Sequence, residues 1–408
     1  MSQSVRPDLL ARVSQVEFIF MIAALMALNA LAIDIMLPAL DDILLDYELP
    51  AGNTQQWVIN AYVLGFGVPQ LFYGPLCDAF GRRPVLLASL IGYTAVSLLC
   101  LVAPSFGLLL AFRVLQGMFA AGCRVGAVSM VRDLFEGRAM ARIMSFVLTV
   151  FMIVPILAPG LGEIVLWASG HWKGPFWILA IVGIIMLAWV GIRMPETLAE
   201  ENRRTLDLKS SFEGYLQVMS YPVTRGYLLA SGVIFGGLFA FITSAEQIFT
   251  DVFGVGALFT VCFGVVASAL AVTNLINARL VEKFGMRPIS HGALLGFVLF
   301  SAIMLLAMWI WGQSLWIFLP LFSIIFGLFG LMGANFSALA MEPLGKIAGS
   351  GAAAYGFITS TLSMLIGIVI GLAFNNTVFP MAIGLLVLGI GTLLTVWITD
   401  QSKMFKAR

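Results

Sequence analysis

Two long apolar runs are joined by the stretch Gly74-Pro75-Leu76-Cys77-Asp78-Ala79-Phe80-Gly81-Arg82-Arg83-Pro84. A weaker copy, Ala278-Arg279-Leu280-Val281-Glu282-Lys283-Phe284-Gly285-Met286-Arg287-Pro288, stands 204 residues later in a chain of 408 residues. Because this offset is half of the chain length, the sequence predicts two similar halves. Each stretch is predicted to be a tight charged turn between two membrane helices.

The composition is that of a membrane protein. Of the residues, 61% are hydrophobic and 11% are charged, and the mean hydropathy is +1.01, whereas soluble globular chains carry roughly 25% charged residues. A net charge of +1 gives no support to nucleic-acid binding. The four cysteines are scattered and there are two histidines, so we expect no disulfide framework, no metal site and no cofactor.

Twelve apolar runs are long enough to cross a bilayer, which takes about 20 residues. The predicted spans are 17–39, 53–76, 84–104, 106–131, 140–167, 174–193, 226–250, 256–280, 287–310, 314–340, 347–373 and 377–398. A polar stretch separates the first six from the last six. We therefore predict an all-α polytopic membrane protein with an N-terminal six-helix bundle (1–193), a cytoplasmic linker (194–225) and a C-terminal six-helix bundle (226–408).

The basic residues predict the orientation, because lysine and arginine accumulate in cytoplasmic segments. With the N-terminus placed inside, nineteen of the 22 lysine and arginine residues fall in inner segments and Lys173 falls in an outer one. Arg113 and Arg124 lie within a span. This distribution predicts that both termini and the linker are cytoplasmic.

Asp34 is the first candidate for proton coupling. A carboxylate within a span costs several kcal/mol unless it is paired, hydrated or protonated. At 1.5 Å per residue, Asp34 in span 1 and Arg113 in span 4 both lie roughly 7–11 Å from the outer ends of their helices. We therefore expect them to pair. The pair either changes during proton coupling or substrate contact, or is a static link between two helices.

Arg113 and Arg124 are eleven residues apart, so at about 100° per residue they share one face of their helix. Arg124 is a candidate for contact with an anionic or polar substrate group, or for pairing with an acid near the inner end. Asn60 and Tyr62 in span 2 are candidates for lining a cavity.

Two further acids lie near outer helix ends, Glu163 in span 5 and Glu246 in span 7. Both are candidates for proton coupling, since either could take up a proton from outside or line the exit. The alternative is that both are hydrated residues at helix ends.

Several motifs resemble those of the major facilitator superfamily. Gly74–Pro84 resembles its motif A, Arg113-Val-Leu-Gln116-Gly117 resembles motif B, and the span 5 residues Pro155, Pro159, Gly160 and Gly162 resemble motif C, which is associated with proton-driven antiporters. Ala32–Leu40, which contains Asp34, resembles the bicyclomycin-resistance (Bcr/CflA) type of drug:proton antiporter.

The resemblance implies roles for these motifs. Motif A would be a conformational latch formed by Gly74, Asp78, Gly81, Arg82, Arg83 and, on span 4, Asp133. Arg113 would assist proton transfer. Motif C would act as a seal against proton leak and as a pivot, with its glycines packing on a helix of the other half. The alternatives are a charge cluster that fixes topology only and ordinary helix packing.

Together these observations predict a proton-coupled antiporter that exports lipophilic or amphipathic small molecules by alternating access. Its partners would be a small-molecule substrate, protons and the lipid bilayer. We expect a monomer in the bacterial inner membrane. A dedicated exporter of one metabolite, such as a siderophore, a sugar or a peptide-like product, is the alternative. A sensor or scaffold would not need buried charges, and we found no catalytic motif of an enzyme.

Overall fold

A computed structural model describes residues 13–50, 53–135, 137–203, 205–206, 208–344 and 348–400. Throughout these ranges the regular secondary structure is helical. Some basic residues used to predict the orientation lie outside the described residues, namely Arg6, Arg12, Arg204, Lys346, Lys403, Lys406 and Arg408. The chain divides into two compact units between Ser211 and Phe212, within the stretch predicted as a linker.

The first unit contains eight helices in its described part and the beginning of a ninth. They are α1 (Gln15–Asp34), α2 (Leu40–Asp46), α3 (Gln56–Gly67), α4 (Gln70–Phe80), α5 (Arg82–Leu101), α6 (Phe106–Leu134), α7 (Gly137–Ser169), α8 (Lys173–Arg193) and α9 (Leu208–Met219), which continues across the unit boundary.

The second unit continues after α9 with six long helices in its described part. They are α10 (Pro222–Gln247), α11 (Phe259–Phe284), α12 (Met286–Trp311), α13 (Leu315–Met341), α14 (Ala348–Leu372) and α15 (Phe379–Asp400). A π-helical turn, Ile248–Val252, extends α10.

The predicted twelve-helix membrane fold is confirmed. In the described part, ten helical segments are long and apolar enough to cross a membrane, with α1 and α2 counted together. The other two predicted spans correspond to α3 with α4, interrupted at Val68 and Pro69, and to α7, whose apolar part Ile153–Ser169 is shorter. The interruption was not predicted. Pro69 is the residue before the first residue of α4, and without a backbone N–H it cannot donate to the last turn of α3.

The charged turn is shorter than predicted. α4 continues to Phe80 with Pro75 inside it, and α5 begins at Arg82. Gly81 alone separates the two helices, with φ +96° and ψ 156°, a conformation that a side chain would strain. Pro84 is accommodated because it lies in the first turn of α5, where backbone N–H groups lack partners within the helix.

Glycines bring α3 and α6 into backbone contact. A Cβ atom at Gly65 would clash with the carbonyl group of Val114, and one at Gly117 would clash with the carbonyl oxygen of Tyr62. Small residues allow membrane helices to approach this closely. The approach positions the side chain of Arg113, one turn before Gly117, against the backbone of α3.

Candidate functional site

Arg113 is fully buried between α1, α3 and α6. Its guanidinium donates to the carbonyl oxygen of Val58 at 3.0 Å, to the carbonyl oxygen of Ala32 at 3.1 Å and to Gln116 Oε1 at 2.7 Å. It also lies 4.5 Å from the centroid of the Tyr62 ring. The positive charge is therefore stabilised by dipoles and an aromatic face rather than by a carboxylate.

The expected ion pair between Asp34 and Arg113 is absent from the structure. Asp34 is the last residue of α1 and is 2% exposed, and its Oδ1 atom has no hydrogen-bond partner in the described part of the chain. Arg113 instead contacts α1 at Ala32. The acceptor is a backbone carbonyl group, so this contact holds the α1 backbone, and not the Asp34 side chain, against Arg113. The predicted depth of Arg113 in the membrane fits its contact with α1, but the predicted ion pair between Arg113 and Asp34 is wrong.

Asn60 and Tyr62 of α3 are both buried. The Tyr62 hydroxyl group donates to Asn29 Oδ1 at 3.1 Å, and its ring covers Arg113, so Tyr62 links α1, α3 and α6. The Asn60 Nδ2 atom is buried without a hydrogen-bond partner among the described residues. The structure thus brings Tyr62, but not Asn60, into contact with Arg113.

The other predicted charged residues are Arg124, Glu163 and Glu246. Arg124 is half-buried in α6, 5.6 Å from the centroid of the Phe66 ring. Glu163 is half-buried in α7. Glu246 is buried near the end of α10, in the second unit.

In motif C, Gly162 packs within its own unit. A Cβ atom there would clash with the carbonyl oxygen of Ile35 and lie 3.3 Å from Pro38 Cδ. The predicted contact was with a helix of the other half, whereas the observed neighbour is the end of α1. The sequence does not distinguish these because a small residue permits close approach without specifying the partner. Pro155, Pro159 and Gly160 lie within the continuous α7.

At the turn between α4 and α5, Arg82 is the centre of a cluster that we call the Arg82 cluster (Asp78, Arg82, Asp133, Glu196 and Thr197). Its guanidinium pairs with Asp78 and donates to Asp133 Oδ2 at 3.0 Å. The Thr197 hydroxyl group donates to the same oxygen at 2.8 Å. The cluster joins α4, α5, α6 and the segment after α8.

Glu196 was not predicted as part of this site. Its carboxylate accepts hydrogen bonds from the backbone N–H groups of Arg82 at 3.0 Å and Arg83 at 3.2 Å. These are the first two residues of α5, and an acid stabilises the positive end of a helix dipole. Arg83 also donates to the carbonyl oxygen of Gly191 at 2.6 Å. Three hydrogen bonds therefore connect the end of α8 and the segment after it to the start of α5.

The second unit has a corresponding group that we call the Asp400 cluster (Tyr227, Arg287, His291 and Asp400). Arg287 Nε donates to Asp400 Oδ2 at 3.0 Å, and the Tyr227 hydroxyl group donates to that oxygen at 2.7 Å. His291 Nε2 lies 3.0 Å from the Tyr227 oxygen. The hydroxyl group has one proton, which goes to Asp400, so Nε2 must carry the proton of this second contact.

The two clusters occupy equivalent places in the repeat. Glu196 and Asp400 are 204 residues apart, as are Arg83 and Arg287. In each unit an acidic residue at or after the end of the last long helix accepts hydrogen bonds from the turn between the second and third crossings. The repeat offset could have identified Asp400 from the sequence. Its contacts with Tyr227 and His291 carry no comparable signal.

Comparison with known proteins gives consistent results. The family model described as Major Facilitator Superfamily matches residues 20–368. The chain is 28% identical over 366 residues to a bicyclomycin resistance protein homolog of Haemophilus influenzae, covering 89% of this chain and 91% of the relative. It is 29% identical over 239 residues to multidrug resistance protein D of Escherichia coli K12, covering 56% of this chain and 60% of the relative.

Among solved structures, that of a D-xylose-proton symporter superposes with a TM-score of 0.72 at 14% sequence identity. The match covers 97% of this chain and 100% of the symporter chain. At this identity the match supports the fold alone.

Proposed function

This chain belongs to the Major Facilitator Superfamily, and from that premise we propose that it exports lipophilic or amphipathic small molecules in exchange for protons. The names of its relatives support drug efflux, since one is a bicyclomycin resistance protein homolog and another a multidrug resistance protein. The alternative is a dedicated exporter of a single metabolite on the same fold.

The isolation of the Asp34 carboxyl group is the observation that carries proton coupling. The group is buried, and among the residues that the structure describes it has one oxygen without a hydrogen-bond partner and forms no ion pair. A carboxylate in such surroundings is costly, and taking up a proton removes the charge. Hydration in another conformation would make loss of the proton favourable. Asp34 would thus bind the proton more tightly in one conformation than in the other. Such a difference in proton affinity is what allows the proton to drive alternating access.

The other residues have supporting roles in this proposal. Arg113 keeps α1, α3 and α6 together next to Asp34. Glu163 and Glu246 relay protons near the outer helix ends. Asp34, Asn60, Tyr62 and Arg124 contact the substrate. Pro155, Pro159, Gly160 and Gly162 of α7 act as a seal and a pivot.

The turn between α4 and α5 acts as a conformational latch in this proposal. The residues involved are Gly74, Asp78, Gly81, Arg82, Arg83 and Asp133. The bonds of Arg82 to Asp78 and Asp133 support this role, because they cross between three helices and must break if those helices separate. In this proposal the turn lies at the cytoplasmic side of a bacterial inner membrane. Both termini are cytoplasmic, and the protein is a monomer.

The test is transport by purified protein in liposomes with an imposed pH gradient and a panel of neutral, anionic and cationic drugs. Gradient-driven movement of several unrelated compounds would support drug efflux. Movement of one compound only would favour the dedicated exporter. If no compound responds to the gradient, the antiporter proposal fails.

A further inference from the structure

Arg124 lies in the membrane-embedded helix α6 without an acceptor for its donors. In the described part of the chain it makes no hydrogen bond and no ion pair, and its contact is with the face of the Phe66 ring. Arg113, eleven residues earlier on the same helix, has three acceptors. Both side chains belong to the same face of α6, but one is satisfied and the other is not.

An unsatisfied guanidinium within a membrane helix is costly, and such groups face a water-filled cavity or a functional partner. Arg124 has room for a partner. It is half-buried rather than enclosed, so part of its side chain is accessible to a ligand. A planar guanidinium binds carboxylate, sulfonate or phosphonate oxygens through two parallel hydrogen bonds.

The charges within the membrane part of α1, α3 and α6 favour an anion as that partner. With Asp34 ionised, Asp34, Arg113 and Arg124 carry a net charge of +1. With Asp34 protonated, as proposed above for its buried state, they carry +2. In either state a monoanionic substrate would lower the net charge by one, whereas a cationic one would raise it. We propose that Arg124 binds the acidic group of an amphipathic monoanion and thereby selects acidic compounds among the exported molecules. This inference rests on the proposed efflux function.

A specific consequence concerns charge movement. Exporting a monoanion in exchange for protons carries one more charge across the membrane per cycle than exporting a neutral molecule. Efflux of the anion should therefore depend more steeply on an inside-negative potential than efflux of a neutral analogue does.

The experiment uses two fluorescent dyes that share one ring system, anilinonaphthalene sulfonate and N-phenylnaphthylamine, of which the first carries a sulfonate. Equilibrium binding to the purified full-length protein and gradient-driven transport in liposomes are measured for the wild type, Arg124→Gln and Arg124→Lys. Arg132→Gln serves as the matched control, because Arg132 is an exposed arginine on the same helix.

We expect Arg124→Gln to weaken binding and transport of the sulfonate dye by roughly 10- to 100-fold, with less than about a threefold change for the neutral dye. Arg124→Lys should restore part of the loss, and Arg132→Gln should behave as the wild type. Retained binding of the neutral dye shows that a variant is folded.

Unchanged affinity for the sulfonate dye in Arg124→Gln, or an equal loss for both dyes in a variant whose thermal unfolding is unchanged, would overturn the inference. Wild-type efflux of the neutral dye would still support the efflux proposal in either case. If the wild type moves neither dye under a pH gradient, the efflux proposal fails for this dye class. The binding comparison then still decides whether Arg124 recognises the anion.

Discussion

Arg113 donates a hydrogen bond from Nη2 to the carbonyl oxygen of Ala32 at 3.1 Å, and so holds α1 two residues before Asp34 without pairing with its carboxyl group. The three acceptors of Arg113 lie on three helices. A lysine has a single ammonium group and cannot reach them in the same geometry. We expect Arg113→Lys to lose about 2–4 kcal/mol of stability, seen as a lower midpoint of thermal unfolding in detergent. An unchanged midpoint would mean that these bonds contribute little.

Asp34→Asn should separate folding from coupling. The substitution is nearly isosteric and breaks no ion pair, so the midpoint of thermal unfolding should change little. Proton-driven efflux should fall at least about tenfold, because the amide cannot carry a proton between conformations. The matched control is Asp42→Asn, an exposed aspartate on α2. Full gradient-driven transport by Asp34→Asn would exclude Asp34 as the proton carrier.

The Arg82 cluster can be tested by a double-mutant cycle with Arg82→Gln and Asp133→Asn. Both side chains are largely buried, with exposed fractions of 10% and 18%, whereas that of Asp78 is 43% exposed. We expect a coupling energy of about 1–3 kcal/mol between Arg82 and Asp133, and a smaller one between Arg82 and Asp78 because solvent screens that pair. Additive effects on stability for Arg82 and Asp133 would contradict the geometry.

Two glycines of the same stretch should respond oppositely to alanine. Gly81 has a positive φ, and a Cβ atom there would press on the Glu196 carboxylate, so Gly81→Ala should cost about 1–2 kcal/mol. Gly74 lies inside α4 with open space around it, so Gly74→Ala should stabilise the helix by about 0.5–1 kcal/mol. Thermal unfolding of the two variants measures the contrast, and equal effects would argue against strain at Gly81.

Asp400 should be important for the stability of the second unit. Its side chain is 2% exposed and that of Arg287 is 6% exposed. Asp400→Leu would therefore leave the buried arginine with the longer ion pair to Glu342, in which Arg287 Nη2 and Glu342 Oε2 are 3.8 Å apart. We expect a loss of about 3–5 kcal/mol. Adding Arg287→Met should recover much of it, because both charges are then removed. Failure of the second substitution to rescue unfolding would show that Asp400 acts through Tyr227 and His291 instead.

The sequence predicts the twelve crossings well because span length depends on the thickness of the bilayer. It also predicts the depth at which Arg113 meets α1, since the rise per residue is constant. It does not predict that Arg113 contacts Ala32 rather than Asp34, because helix rotation depends on packing such as the contact at Gly117. Nor does it reveal the contacts of Asp400 with Tyr227 and His291, because the members of the Asp400 cluster come from three helices that are distant in the sequence.

The positions of Glu196 and Asp400 also bear on whether the halves are separable. Each acid links the end of the last crossing of its own unit to the turn between the second and third crossings. The residues that bind Glu196 and those that bind Asp400 lie in the same unit as the acid, on one side of the boundary between Ser211 and Phe212. A break in the polypeptide at that boundary would leave the hydrogen bonds of Glu196 and Asp400 intact. Two separately synthesised halves would therefore each retain the contacts that close them.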